Sequence, residues 1–434
     1  MSALTALGER RVAARIAGVA VLSVPAVLLR LSGTHPAPVL GMIAFGAGVL
    51  GAAVLLMWAA ETARRDMSGS LALALLALIA VLPEYAVDLY YAYAAGSRPE
   101  YTAYAAANMT GANRLLVGVG WALVVLAFTL GTRRLVRSRS RAAGAEARAG
   151  TVRWDVWLRG HQRIELGFLA VAAVVAFVPA LTGEIGWYIA IILIALYVLY
   201  VLRISRTGEQ DEEEPAGVAG VLAGFPARTR RVTTAVLFVL GALVIFACAE
   251  PFADALVDAG SSLGVDRFLL VQWLAPLASE APELIVAVVF AWRLRDGDAI
   301  GALLSSKVNQ WTLLVGTLPI AYRLGGGAWS LPLDSRQTEE MLLTAAQTVL
   351  GLALLVDLVF RRREALLLFG LFVVQFVLPW ESARLFLSLI YLALGFTVLM
   401  MKWDALAAAM RVVVRPDDGR APSSGRGSPH EPEP

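Results

Sequence analysis

Apolar residues along this 434-residue chain fall in about a dozen continuous runs, each roughly 17–25 residues and so long enough to cross a bilayer as a helix. The runs lie at 12–30, 39–60, 70–95, 102–130, 164–182, 186–203, 232–250, 268–292, 299–323, 339–360, 364–380 and 384–402. Transmembrane strands would instead alternate apolar and polar residues over short segments. The pattern therefore predicts an all-α polytopic membrane protein of about 12 transmembrane helices. Between and beyond the runs lie an arginine-rich loop at 131–163, a linker at 204–231 carrying Asp211-Glu212-Glu213-Glu214, and a tail at 416–434. The tail is rich in Pro, Gly and Ser and reads as disordered.

Charge placement orients the runs. With both termini in the cytoplasm, 29 of the 37 Lys and Arg residues fall on inner segments and six on outer ones. A wrong parity anywhere would scramble this bias, so both ends are expected inside, in the cytoplasmic (plasma) membrane. Arg10 and Arg11 give the first run the outline of a signal peptide, but its removal would leave the parity of the rest unchanged. The two remaining cations, Arg114 and Lys307, lie within spans.

Composition narrows the function classes. At 58% hydrophobic and 16% charged residues, an ordinary soluble domain is excluded. The single Cys248 forbids an internal disulfide or a cysteine metal cluster, and His35, His161 and His430 all avoid the run centres. Intramembrane haem and a His-Glu-x-x-His zinc protease are thereby excluded. No paired catalytic aspartates appear, so the chain is not read as an enzyme. No nucleic-acid partner or resident cofactor is expected; the expected partners are inorganic cations and the lipid bilayer, with oligomeric state unspecified. Six tyrosines between Tyr85 and Tyr104, with Trp58, Trp187, Trp292, Trp380 and Trp403, read as interfacial aromatic belts.

An internal repeat carries the chemistry. LIAVLPEYAVDLYYAYAA at 78–95 and LASEAPELIVAVVFAW at 277–292 both centre on Pro-Glu, at Pro83-Glu84 and Pro282-Glu283. In the following run, TGANRLLVGVG at 110–120 aligns without gaps on SKVNQWTLLVG at 306–316. This pairs Thr110 with Ser306, Asn113 with Asn309 and Arg114 with Gln310. The copies begin in the third and eighth runs, so they are expected to cross the membrane in opposite directions, as in secondary transporters. The halves are read as 39–203 (signature 78–120) and 232–380 (signature 274–316), with extra helices at 12–30 and 384–402.

Glu84, Glu280 and Glu283 sit near the middle of their runs, as do Arg114 and Lys307. An isolated charge there costs about 2.5–3.5 kcal/mol on insertion scales, so these groups are expected to face one another or bound ions. Pro83, Pro276 and Pro282 each free a backbone carbonyl one turn earlier. Carboxylate, carbonyl and hydroxyl oxygens without sulfur or imidazole suit a hard cation such as Ca²⁺ or Na⁺. Asp88 follows Glu84 by four residues and Glu280 precedes Glu283 by three, so each pair shares a helix face. Close carboxylates in a low dielectric hold either a cation or a proton. A kink with a structural salt bridge is the plainer alternative for one Pro-Glu; its recurrence in both copies argues against that.

At these residues the chain resembles the sodium/calcium exchanger superfamily of cation/Ca²⁺ antiporters. In that family each of two inverted repeats has a Gly-Thr-Ser-Leu-Pro-Glu-like segment, then a Gly-Ser-Asn-x-x-Asn/Asp-like segment in the next helix. The resemblance implies a ten-helix core with Glu84 and Glu283 as the central metal ligands. It adds Ser279 and Ser306 as hydroxyl ligands, with Thr110 and Gln310 around them. The chain departs from the family where Ala80 and Val81 replace hydroxyls, where Arg114 replaces Asn, where Glu280 replaces a hydroxyl and where Lys307 follows Ser306. Arg114 is expected to fill a cation position, paired to Glu280 or Asp88, and Lys307 to bear on coupling. The expected function is secondary antiport of Ca²⁺ against Na⁺ or H⁺ by alternating access. The alternatives are Na⁺/H⁺ exchange at the same carboxylates and a degenerate, non-transporting scaffold.

Overall fold

A computed structural model describes residues 3–63, 65–66, 82–142, 154–205, 217–378 and 380–414. Nearly all of them are helical, in the order α1 (Ala3–Ser32), α2 (Pro38–Ala63), α3 (Leu82–Ala95), α4 (Tyr101–Leu115), α5 (Trp121–Ala142), α6 (Arg163–Val175), α7 (Phe177–Thr182) and α8 (Trp187–Ile204). There follow α9 (Gly217–Ala223), α10 (Ala227–Leu263), α11 (Arg267–Ser279), α12 (Ala281–Trp292), α13 (Asp296–Asn309), α14 (Val315–Leu324), α15 (Ser335–Leu355), α16 (Arg362–Val377), α17 (Glu381–Met401) and α18 (Trp403–Val414). Residues 70–81 of the third expected run, the acidic run at 211–214 and the tail at 416–434 lie outside the described residues.

Among the described residues, seven helical segments are long and apolar enough to span a membrane, and α11–α12, bent by 56°, makes an eighth if it is one crossing. The expected number of twelve is not reached on that criterion, for a physical reason. The helices that fall short include α13–α14, diluted by Ser306, Lys307, Asn309 and Gln310, and α15, diluted by Glu339, Glu340 and Gln347. They keep polar groups inside the protein instead of presenting an apolar surface to lipid. Burial follows the same division: the best window of Tyr101–Arg137 is 72% buried, that of α1 only 17%. Helices α4–α5, α13–α14 and α15 are thus central, and α1 lies at the lipid-facing margin.

Two features recur in both halves. Where the helix after each Pro-Glu passes the site, it widens into a π-helical segment, at Leu116–Gly120 between α4 and α5 and at Gln310–Leu314 between α13 and α14. Such widenings concentrate at functional sites. Short strands also tie the halves together: β1 (Val156–Trp157) pairs antiparallel with β4 (Val359–Phe360), and β2 (Glu184–Ile185) with β3 (Leu331–Pro332). β1 and β3 lead into α6 and α15, whose starts are alike. Gln162 accepts from the Arg159 amide at 2.8 Å and Gln337 from the Asp334 amide at 3.1 Å. Three residues beyond each glutamine stands a buried glutamate, Glu165 and Glu340.

Within the linker at 204–231, α9 forms and buries Val218 and Leu222 against α2. One expectation about the periphery needs correction. The tyrosines are not mainly a belt. Tyr85, Tyr91, Tyr101 and Tyr104 are buried, and only Tyr93 of the six is strongly exposed. Tyr90 and Tyr101 donate to the Asp254 carboxylate of α10, at 3.0 and 2.5 Å, and Arg98 donates to both phenols. Their polar ends have a protein partner, so the rings pack inward. Trp187, Trp292, Trp380 and Trp403 are exposed, as a belt requires, whereas Trp58 is half-buried against the cluster that holds Val218 and Leu222.

Candidate functional site

The break between α11 and α12 creates the second half's contribution. Helix α11 ends at Ser279, Glu280 caps both helices, and Pro282 stands in the first turn of α12. Proline is tolerated there because its missing N–H would have no partner anyway. Glu283 falls in the same first turn, where the helix dipole favours an anion. In the first half, Pro83-Glu84 stands at the described start of α3.

These elements bring carboxylates from both halves together. Glu84 and Glu280, 3% and 2% exposed, face each other within hydrogen-bonding range. Glu283 is within electrostatic range of both. Asp88 is fully buried beside Asn108. Gln310 donates its amide to Glu280. Among the described residues, seven buried oxygens without a hydrogen-bond partner belong to this group of side chains: Glu84 Oε1, both oxygens of Asp88, Glu280 Oε2, Glu283 Oε2, Gln310 Oε1 and Ser306 Oγ. Buried polar atoms are ordinarily satisfied, so such a concentration marks a place built for a ligand. The set is all oxygen and mostly anionic, which is the donor chemistry of a hard cation. Among the described residues, no group of three or more His, Cys, Asp or Glu side chains is already gathered into a metal cage.

The other expected residues divide. Ser279 donates to the carbonyls of Ala275 and Pro276, and Thr110 to that of Ala106 at 2.7 Å, so both hydroxyls are turned onto their own helices. The Gln272 carbonyl freed by Pro276 does not open toward the carboxylates. It packs on Gly111 of α4, so closely that a Cβ there would lie 1.8 Å from the oxygen. Gln272 also donates to Thr110 at 3.4 Å. Lys307 bridges the halves: its Nζ donates to the Asn113 carbonyl at 2.9 Å and to Asn113 Oδ1 at 2.8 Å. Asn309, the counterpart of Asn113, accepts from the Tyr85 hydroxyl at 3.1 Å.

Arg114 overturns its expected pairing. Its guanidinium bonds neither Glu280 nor Asp88 but makes a 2.6 Å ion pair with Glu340 of α15, both side chains being almost fully buried. It also lies over the Trp273 ring, 5.0 Å from the centroid. Arg384 of α17 extends the network, 3.8 Å from Glu340 and 2.7 Å from Glu339. Glu340 escaped notice in the sequence because it stands at the start of the apolar run 339–360, where an acidic residue is ordinary. Asn113 and Asn309 were visible as a repeated pair, but nothing in one sequence said what they would bond.

The family profile of the sodium/calcium exchanger proteins matches residues 37–205 and 233–381, most of the chain. The chain belongs to that family. Its members are transporters, and this exchanger-family chain is an all-α integral membrane protein. The crystal structure of the H⁺/Ca²⁺ exchanger CAX superposes with a TM-score of 0.84 at 39% identity, covering 93% of this chain and 98% of that one. The structure of native YfkE shares the fold, with a TM-score of 0.57 at 16% identity over 87% of this chain and 99% of that one. Among curated proteins, the proposed antiporter CaxA of Alkalimonas amylolytica is 26% identical over 145 residues, 33% of this chain. That alignment spans 44% of CaxA, less than half of its length.

Proposed function

We propose that the protein exchanges Ca²⁺ for H⁺ across the cytoplasmic membrane, with both termini in the cytoplasm. Residues 39–203 and 232–380 act as inverted repeats that open the site alternately to the two sides. Glu84 and Glu283 are the central ligands, with Glu280, Gln310 and Ser306 completing the shell and Asp88 adding charge. The observation that carries this reading is the cluster of partnerless buried oxygens contributed by both halves. Several carboxylates in low dielectric hold either a divalent cation or protons, which makes exchange of one for the other the natural cycle. Protons are favoured over Na⁺ because the neutral oxygens that sodium sites need are few. Arg114 stands at one such position, Ala80 and Val81 stand at two where the family has hydroxyls, and Lys307 holds Asn113. Similarity to a protein solved as an H⁺/Ca²⁺ exchanger points the same way.

The test is ⁴⁵Ca²⁺ flux in proteoliposomes under an imposed pH gradient and, separately, an imposed Na⁺ gradient. Flux driven by the pH gradient and lost in Glu283→Gln is expected. Flux driven only by Na⁺ would replace the coupling ion, and no flux with folded protein would overturn Ca²⁺ antiport.

A further inference from the structure

We infer that Glu340 is a positioning residue for the cation site: it holds the Arg114 guanidinium away from the central carboxylates and so leaves them open to Ca²⁺. This rests on the Ca²⁺ site proposed above and adds a residue that does not itself touch the ion.

Register supplies the first half of the case. Arg114 aligns on Gln310, and Gln310 reaches Glu280 with its amide. An arginine side chain is longer than glutamine by two heavy atoms, so a guanidinium at this register has a longer reach than the amide that meets Glu280 in the other half. Lys307, whose Nζ bonds Asn113, lies within electrostatic range of Glu280, Glu84 and Arg114. The pair and the site thus share one electrostatic neighbourhood.

Charge supplies the second half. A guanidinium cannot shed its proton in a protein, and within a bilayer it must find an anion. The anions open to Arg114 are the central carboxylates or Glu340. Glu340 wins here at 2.6 Å, helped by the Trp273 face. Arg384 and Glu339 anchor it from the far side. A cavity of about 10 Å³ beside the pair is lined by Arg114, Gln272, Trp273, Glu340, Gln375 and Arg384, among others. It has room for about one water, so the pair is not locked in by packing alone. In the other half, Gln310 is neutral and requires no such holder.

If Glu340 only stabilised the fold, neutralising it would lower the amount of folded protein without a specific effect on Ca²⁺. If it holds Arg114, neutralising it turns Arg114 into a tethered competitor for the cation. The test measures the Ca²⁺ dependence of pH-driven flux for the full chain in proteoliposomes. The wild type is compared with Glu340→Gln and with the double variant Glu340→Gln/Arg114→Gln. Glu340→Gln is expected to raise the KM for Ca²⁺ about tenfold or more, with a smaller change in kcat. The double variant, having no guanidinium to release, returns KM toward wild type. Should Glu340→Gln not fold, Glu340→Asp keeps the charge but retracts it by one carbon, and its KM is expected to rise partway and fall again when Arg114→Gln is added. A KM unmoved in folded Glu340→Gln (or in Glu340→Asp), or equally raised in single and double variants, overturns the inference alone. Absence of saturable Ca²⁺ flux in the wild type overturns the Ca²⁺ site and this inference together.

Discussion

At the helix following each Pro-Glu pair, the first half carries Arg114 and the second Gln310, and the two side chains leave the same register in different directions. Arg114 departs to Glu340, whereas Gln310 stays and donates to Glu280. The backbone around them is alike: both helices widen into a π-segment within two residues, and both halves place a buried glutamate three residues after a capping glutamine. Equivalent backbones thus carry unequal charge. The scaffold can be symmetric because helix breaks and strand pairs set where groups sit, while the charge they carry differs at the few positions at which the copies differ.

That comparison can be pressed where the halves are expected to agree. Glu84→Gln and Glu283→Gln should each reduce Ca²⁺ flux by more than about 100-fold, with comparable severity, in proteoliposomes. A large inequality would mean that one half alone binds the ion. The next effect probes the difference. Gln310→Arg places a guanidinium beside Glu280, and the KM for Ca²⁺ is expected to rise about tenfold. An unchanged KM would show that Glu165 draws the new arginine away, as Glu340 draws Arg114.

A smaller effect concerns packing. Gly111 aligns on Lys307 of the second half, yet any Cβ at Gly111 meets the Gln272 carbonyl at 1.8 Å. Gly111→Ala should force α4 and α11 apart and lower stability by about 1–3 kcal/mol, read as thermal unfolding in detergent. A Tm equal to wild type would refute that close approach. The smallest effect lies outside the membrane. Asp66, just after α2, is held at a pKa of about 2 by hydrogen bonds to Arg230 and Arg231 near the start of α10. A depressed carboxyl contributes stability above its ordinary value near 4 and loses it as pH falls through about 2. The Tm difference between wild type and Asp66→Asn should therefore be small and constant from pH 7 to about 4, then close toward pH 2. A difference that persists at pH 2 would assign the effect to something other than this pair.

Much of the fold was legible because its causes are local. Apolar runs mark helices, and Pro-Glu at Pro282-Glu283 marks a helix break within a few residues. Glu84, Glu280, Glu283 and Gln310 come together because the repeat that announced them also positions them. What stayed hidden depends on partners distant in sequence. Arg114 could be seen as a buried cation needing an anion, but the competition between Glu280, Asp88 and Glu340 is settled by the packing of α4 against α15. The tyrosines looked interfacial until Asp254, contributed by α10, supplied an acceptor inside the protein. The hydroxyls of Thr110 and Ser279 had the right composition for ligands, but that they donate to carbonyls of their own helices is a matter of rotamer that composition does not reveal.

The central claim is that Ca²⁺ and protons compete for one set of carboxylates drawn from both halves. Calorimetric titration of Ca²⁺ into the detergent-solubilised protein, repeated in buffers of different ionisation enthalpy, counts the protons displaced per ion bound. Release of at least about one proton per Ca²⁺ is predicted from the carboxylate balance, abolished together with binding in Glu84→Gln and Glu283→Gln. Ca²⁺ binding that displaces no proton, and weakens instead with added Na⁺, would contradict the account.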